Sequence, residues 1–201
     1  MSNVLIGIIG VILFIGLALA GALILGDDFR TASNSSQAAA LMSQIKQAAD
    51  AAEMRRLKLG MSTIPSTSTD FLVPRFLKVA AMNPTPLARA NPGDARWTVA
   101  FNNNLAGDGY YEPHYAAKFA QAVIGPQSDA KSRAICLEIA QSYGQTDIAD
   151  VSATGNPAGD AGCALTGADI SPGRYAENKQ YVAFVRVAPR DQDILLASNY
   201  P

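Results

Sequence analysis

The first charged side chain of this 201-residue chain is Asp27. The stretch before it, MSNVLIGIIGVILFIGLALAGALILG, carries none of the 33 formal charges (16 Lys and Arg, 17 Asp and Glu). From Val4 to Leu25 all 22 positions are Val, Leu, Ile, Phe, Ala or Gly. As a helix that run spans about 33 Å, enough for the hydrocarbon core of a bilayer. A segment of this kind serves as a signal peptide, as a membrane anchor, or as a rod that leaves lipid to pack against protein. A secretory signal needs a basic start, a shorter apolar stretch and a small-residue cleavage site. Met1, Ser2 and Asn3 offer no cation and the run is too long, so signal peptide is the weakest of the three.

The glycines bear on the other two. Gly7 and Gly10, then Gly16 and Gly21, permit close approach of helices, and each lowers helix stability by about 1 kcal/mol relative to Ala once lipid is gone. Such a helix suits a membrane and also suits a later packing, partly unwound, against copies of itself. The sequence that follows, DDFRTASNSSQAAALMSQIKQAADAAEMRRLKLG, has no proline. Leu41, Met42, Ile45, Ala48, Ala49 and Ala52 recur at three- and four-residue steps, with Lys46, Asp50, Glu53 and Arg56 mostly on the other side. This is the spacing of an amphipathic helix. Asp27 or Asp28 is expected to cap a restarted helix after Gly26, and Gly60 to end it, with Arg55, Arg56 and Lys58 in the closing turns.

Beyond Gly60 the chain reads as a globular domain long enough to bury a core, since about 140 residues suffice. MSTIPSTSTD reads as an exposed loop, and Phe71–Met82 as a short strand and turn or a one-turn helix. Residues 96–101 (RWTVAF) and 180–188 (QYVAFVRVA) read as strands, and DILLAS (193–198) as an edge strand. Helical spacing is read in HYAAKFAQAVIG and in SDAKSRAICLEIAQSYG; the second has Ser128 or Asp129 as its cap and Ala134, Ile135, Leu137, Ile139 and Ala140 as its buried face. The Gly-, Ala- and Asp-rich stretch 144–173 reads as a long irregular loop. The fold class expected is therefore α+β: a long N-terminal helix packed on a small, mostly antiparallel sheet. Three regions follow: the apolar helix 1–26, the amphipathic helix 27–59 and the globular head 60–201. Cys136 and Cys163 are either buried thiols or, if the domain lies outside the cytoplasm, one disulfide.

Little here suggests catalysis. His114 is the single histidine, which excludes His-rich metal sites, and it sits among tyrosines (Tyr110, Tyr111, Tyr115) that suit a contact surface or a strand end. Asp147, Asp150, Asp160 and Asp169 lack calcium-loop spacing. There is no nucleophile elbow and no phosphate loop, so neither an enzyme, a cofactor nor a metal is expected. With a net charge of −1, a nucleic-acid partner is not indicated. The acceptor-like triplet at Asn34 falls inside the helix and reads as chance, and Ser62–Thr69 reads as solvated loop before O-glycosylated stalk.

In outline the chain resembles the type IV pilins, most closely their type IVb subfamily. The likeness is carried by the uncharged N-terminal helix, its amphipathic continuation, the Ser/Thr-rich loop and the C-terminal cysteine pair. SQAAALMSQIKQAADAAEMRRLKLG resembles the family's long helix, and KSRAICLEIAQSYG its cysteine-bearing helix that opens the disulfide-bounded region. The resemblance implies a processed and methylated Met1. It implies a filament core of Val4, Leu5, Ile8, Ile9, Ile12, Leu13, Phe14, Leu17, Leu19 and Leu23. It also implies a subunit held in the inner membrane until assembly machinery draws it into an extracellular helical homopolymer, for adhesion, motility or uptake. Two departures stand out. The acid that most pilins carry at the fifth mature position is Leu5 here, and the proline common near position 22 is Ala22. Register is then expected from apolar packing and glycine fit, helped by domain contacts, and any melting within a fibre between Gly16 and Gly21. The competing readings are a monomeric single-pass anchored protein with an extracytoplasmic binding domain, and a minor pilin or pseudopilin of a secretion system.

Overall fold

The computed structural model describes residues 2–64, 67–81, 84, 99–102, 105, 117–151, 157–167 and 179–187, with the side chains at 2–7, 10, 18–28 and 67–68 outside that description. One helix, α1, runs from Ser2 to Leu59. It passes through Gly26, Asp27 and Asp28 without the restart expected there, because a glycine inside an otherwise good helical sequence weakens a helix without ending it. Its end is set at Gly60, whose φ of 63° is the left-handed conformation a glycine adopts freely. The Gly60 N–H donates to Leu57 O and the Met61 N–H to Arg56 O at 2.9 Å, the paired bonds of a Schellman cap.

The lower half of α1 buries one stripe. Leu41, Ile45 and Ala48 are fully buried, Met42, Ala49 and Ala52 nearly so, while Lys46 and Asp50 face water and Glu53 and Arg56 are half-exposed. Burying each Leu or Ile side chain stabilises by about 1.5–3 kcal/mol, so this face fixes the helix to its domain. The helix packs against the second helix, α2 (Ala130–Ser142), and against a sheet. α2 starts as expected at Asp129, whose carboxylate accepts from the N–H groups of Lys131 and Ser132 and from the Ser132 hydroxyl. It ends as α1 does, on a glycine at positive φ: Gly144 donates to Gln141 O and Gln145 to Ala140 O.

Among the described residues the sheet has six strands: β1 (Thr67–Ser68), β2 (Ala100–Asn102), β3 (Phe119–Pro126), β4 (Ala149–Asp150), β5 (Ala161–Gly167) and β6 (Lys179–Arg186). Their order is β1-β2-β3-β6-β5-β4, antiparallel throughout except for the β4–β5 pair, so the sheet is mixed. Alternation splits the central strands between two cores. Ala120, Ala122 and Ile124 of β3, Tyr181 and Ala183 of β6, and Cys163 and Leu165 of β5 join the stripe of α1 and Ile135 and Ile139 of α2. The opposite face buries Phe119, Val123, Ala164, Val182 and Phe184 together with Leu105 and Val151. There the Phe119 and Phe184 rings meet edge-on at 5.8 Å.

Three readings of the sequence are corrected by this arrangement. HYAAKFAQAVIG is not a helix: its described part, from Ala117, leads into strand β3. A central strand buried on both faces shows no polar alternation, and its run of alanines imitates helical spacing. The stretch 144–173 is not wholly irregular, because it contains β4 and β5. The small residues of AGCALTG lower β propensity but let α2 lie close over the strand. MSTIPSTSTD is not wholly an exposed loop, because it buries Ile64 and Thr69 and contributes the edge strand β1. The 3-10 turn Thr69–Leu72 at its end is the one-turn helix of the two alternatives read for Phe71–Met82. Residues 96–98 and DILLAS lie outside the described residues.

Cys136 of α2 and Cys163 of β5 form a disulfide with Cα atoms 5.4 Å apart. Both cysteines are fully buried, so the bond ties the helix layer to the sheet from inside the core.

Candidate interaction surface

The described side chains of the apolar half of α1 are Ile8, Ile9 and residues 11–17, and all stand exposed on every side of the helix. Of the expected core positions, Ile8, Ile9, Ile12, Leu13, Phe14 and Leu17 are 50–74 % exposed, and Val11 and Ile15 beside them are similar. Among the described residues no element of the same chain covers them. Val4, Leu5, Leu19 and Leu23 lie outside the described side chains, as do Met1 and the surroundings of Gly21. A Cβ built at Gly16 meets nothing within 4 Å. Among the described residues no helix is long and apolar enough to cross a membrane; the described side chains reach only part of the run from Val4 to Leu25.

This surface differs in kind from an active site. Scattered exposed aliphatic side chains are ordinary on soluble proteins, whereas a contiguous all-round apolar segment marks a place that lipid or protein covers. Directional chemistry is absent from it, so what it can do is associate.

Several of the described polar groups elsewhere are engaged, while the buried Thr69 hydroxyl and the side-chain oxygens of Gln121 and Gln180 have no partner among the described residues. Among the described residues no three His, Cys, Asp or Glu side chains gather as metal ligands. Asp150 pairs with Lys179 at 2.7 Å and Asp160 approaches Arg186 at 3.6 Å. Arg56 grips both carboxylate oxygens of Glu53, at 2.5 and 2.7 Å, and this hydrogen bonding holds the Glu53 carboxyl below its ordinary range. Asp129 is also held low: burial alone would raise it, but the bonds from Ser132 and Lys131 outweigh that. Between α1 and α2 lies an open groove of about 450 Å³, with Lys46, Asp50 and Glu138 on its walls and Lys46 5.2 Å from the Tyr143 ring. Asn34 is half-buried within α1, while His114, Asp169 and the tyrosines 110, 111 and 115 fall outside the described residues.

One feature escaped sequence reading. Arg55 and Lys58, read as complementing the helix dipole, also lie over the Phe71 and Phe76 rings, and Leu57 and Val79 near them in the chain are exposed. The signal lay in Met54 and Leu57, which fall off the buried stripe. Compared with known proteins, the chain matches no family model, no curated protein and no solved structure.

Proposed function

We propose that the chain is the structural subunit of an extracellular filament of the type IV pilin kind, assembling through the apolar half of α1. The observation that carries the reading is the exposure of Ile8 through Leu17 on a helix whose lower half is already fixed to a folded domain. Among the described residues a single copy offers nothing to cover that surface; many copies laid side by side cover it for one another. Burying Ile8, Ile9, Ile12, Leu13, Phe14 and Leu17 is worth about 10–20 kcal/mol gross, which is ample for a non-covalent fibre after the costs of association. Before assembly the same segment rests in the inner membrane, with the disulfide-bonded domain on the oxidising side. Register without an acid at Leu5 comes from apolar fit and from the close approach that Gly16 and Gly21 allow.

Electron microscopy of material sheared from cells tests this directly: long uniform fibres containing the chain are expected. Gly16→Leu with Gly21→Leu should abolish them. At Gly16 a side chain enters open space in the free chain, so the domain keeps its fold and only packing between copies suffers. Membrane fractionation with no fibre refutes the reading in favour of a monomeric anchored protein. Trace amounts confined to a fibre tip make it a minor subunit.

A further inference from the structure

The end of the domain where α1 stops carries a second, smaller exposed surface of different chemistry. Two cation–π contacts hold the 3-10 turn and the chain after it against the last turns of α1: Arg55 lies 4.8 Å from the Phe71 ring centroid and Lys58 5.9 Å from that of Phe76. Phe71 and Phe76 in turn pack on the main core. Around this junction Leu57, Leu59 and Val79 are 67, 49 and 70 % exposed, and Lys58, Arg75 and Lys78 are exposed among them. Among the described ion pairs none involves those three cations. Glu53, the acid nearest to Lys58 in sequence, is taken up by Arg56, and Asp70, the acid nearest to Arg75 and Lys78, is exposed in the 3-10 turn at the same junction.

Aliphatic side chains standing in water beside cations that outnumber the described acids around them are the composition of a bilayer-surface contact, in which the aliphatics enter the headgroup boundary and the cations meet lipid phosphates. We propose that this end of the domain docks on an anionic phospholipid surface. A second copy of the chain is a poorer partner, because its exposed acids Asp50, Asp70 and Asp147 are scattered over α1, the 3-10 turn and the loop after α2, whereas lipid phosphates form a continuous anionic surface. Leu57 lies 40 residues beyond Leu17, about 60 Å along a straight helix. The proposal rests on the filament reading only in taking the apolar half of α1 as the anchored end; the docking surface then faces away from the cell's own membrane, toward another one.

The test places the full chain in donor vesicles of phosphatidylcholine, confirmed by flotation. It then measures capture of fluorescent acceptor vesicles, either neutral or with about 30 % phosphatidylserine. Capture of the anionic acceptors alone is expected, falling as salt is raised. Arg75→Gln with Lys78→Gln should lower it about 25-fold, at about fivefold per cation. Leu57→Ser with Val79→Ser should also lower it, with thermal unfolding unchanged in both variants. Equal capture of neutral and anionic acceptors overturns the proposal, as does full capture by the Gln variant. Clustering of donor vesicles with one another in the absence of acceptors also overturns it, in favour of docking between copies. If the chain does not float with donor vesicles, the anchoring reading fails; the same capture measurement on beads holding the chain by an N-terminal tag then decides the docking surface by the same outcomes.

Discussion

Removing the disulfide is the sharpest probe of how the domain holds together. Cys136 and Cys163 are 27 positions apart, and the bond between them joins α2 to β5. On the chain-entropy account, closing a loop of about 28 residues restricts the unfolded chain by about 3.6 kcal/mol. In Cys136→Ala with Cys163→Ala that restriction is lost, and two fully buried sulfur atoms leave space at the junction of helix and sheet. The expected destabilisation is about 4 kcal/mol, a large share of the 5–15 kcal/mol typical of a domain, and roughly 10 °C in melting temperature. Urea unfolding of the full chain in mild detergent, followed by far-ultraviolet circular dichroism, measures it. Because both cysteines are buried, dithiothreitol should reduce the native bond only as fast as the domain opens. A variant within 1 kcal/mol of the parent, or native reduction as fast as in urea, would show that the bond is peripheral to the fold and refute this reasoning.

Other perturbations separate the two halves of α1. Ile45→Ala, at a fully buried position, should cost about 2–5 kcal/mol of domain stability by urea unfolding. Ile12→Asp, at an exposed one, should leave that stability unchanged while preventing assembly and detergent-independent aggregation, read by sedimentation. Gly60→Ala forces a side chain into the left-handed cap and should cost about 1–2 kcal/mol. Asp129→Ala removes the cap of α2 and should cost about 1 kcal/mol near neutral pH. The sign with pH follows from the depressed carboxyl: its contribution is complete above the ordinary value of 3.8 and is lost as pH falls through the lower folded value. Parent and variant should therefore converge in acid, which melting curves at several pH values can check.

The helices were legible because their signals are local. The stripe from Leu41 to Ala52 repeats with helical period, and it is the stripe that the fold buries. Gly60 and Asp129 mark their helix ends by chemistry that acts within a few residues. Strand β6 was legible from its β-branched and aromatic run, but β3 and β5 were not. In both, identity is conferred by neighbours: β3 lies between β2 and β6 with both faces buried, and β5 lies beneath α2 with glycines and alanines chosen for clearance. Such positions are decided by tertiary packing, which overrides propensity. The apolar surface of the candidate site was legible from Val4 to Leu25 as composition alone. Its companion near Leu57 was not, since Arg75, Lys78 and Val79 reach that place only through the return of the chain past Phe71 and Phe76.

The unbroken run of α1 from Ser2 to Leu59 has a mechanical consequence. Tension applied at the leading residues travels down one rod into the stripe seated on α2, β3 and β6, so the load is shared along the whole contact and acts in shear. A rod attached at a single point would peel away one residue at a time; this one has to slide as a unit.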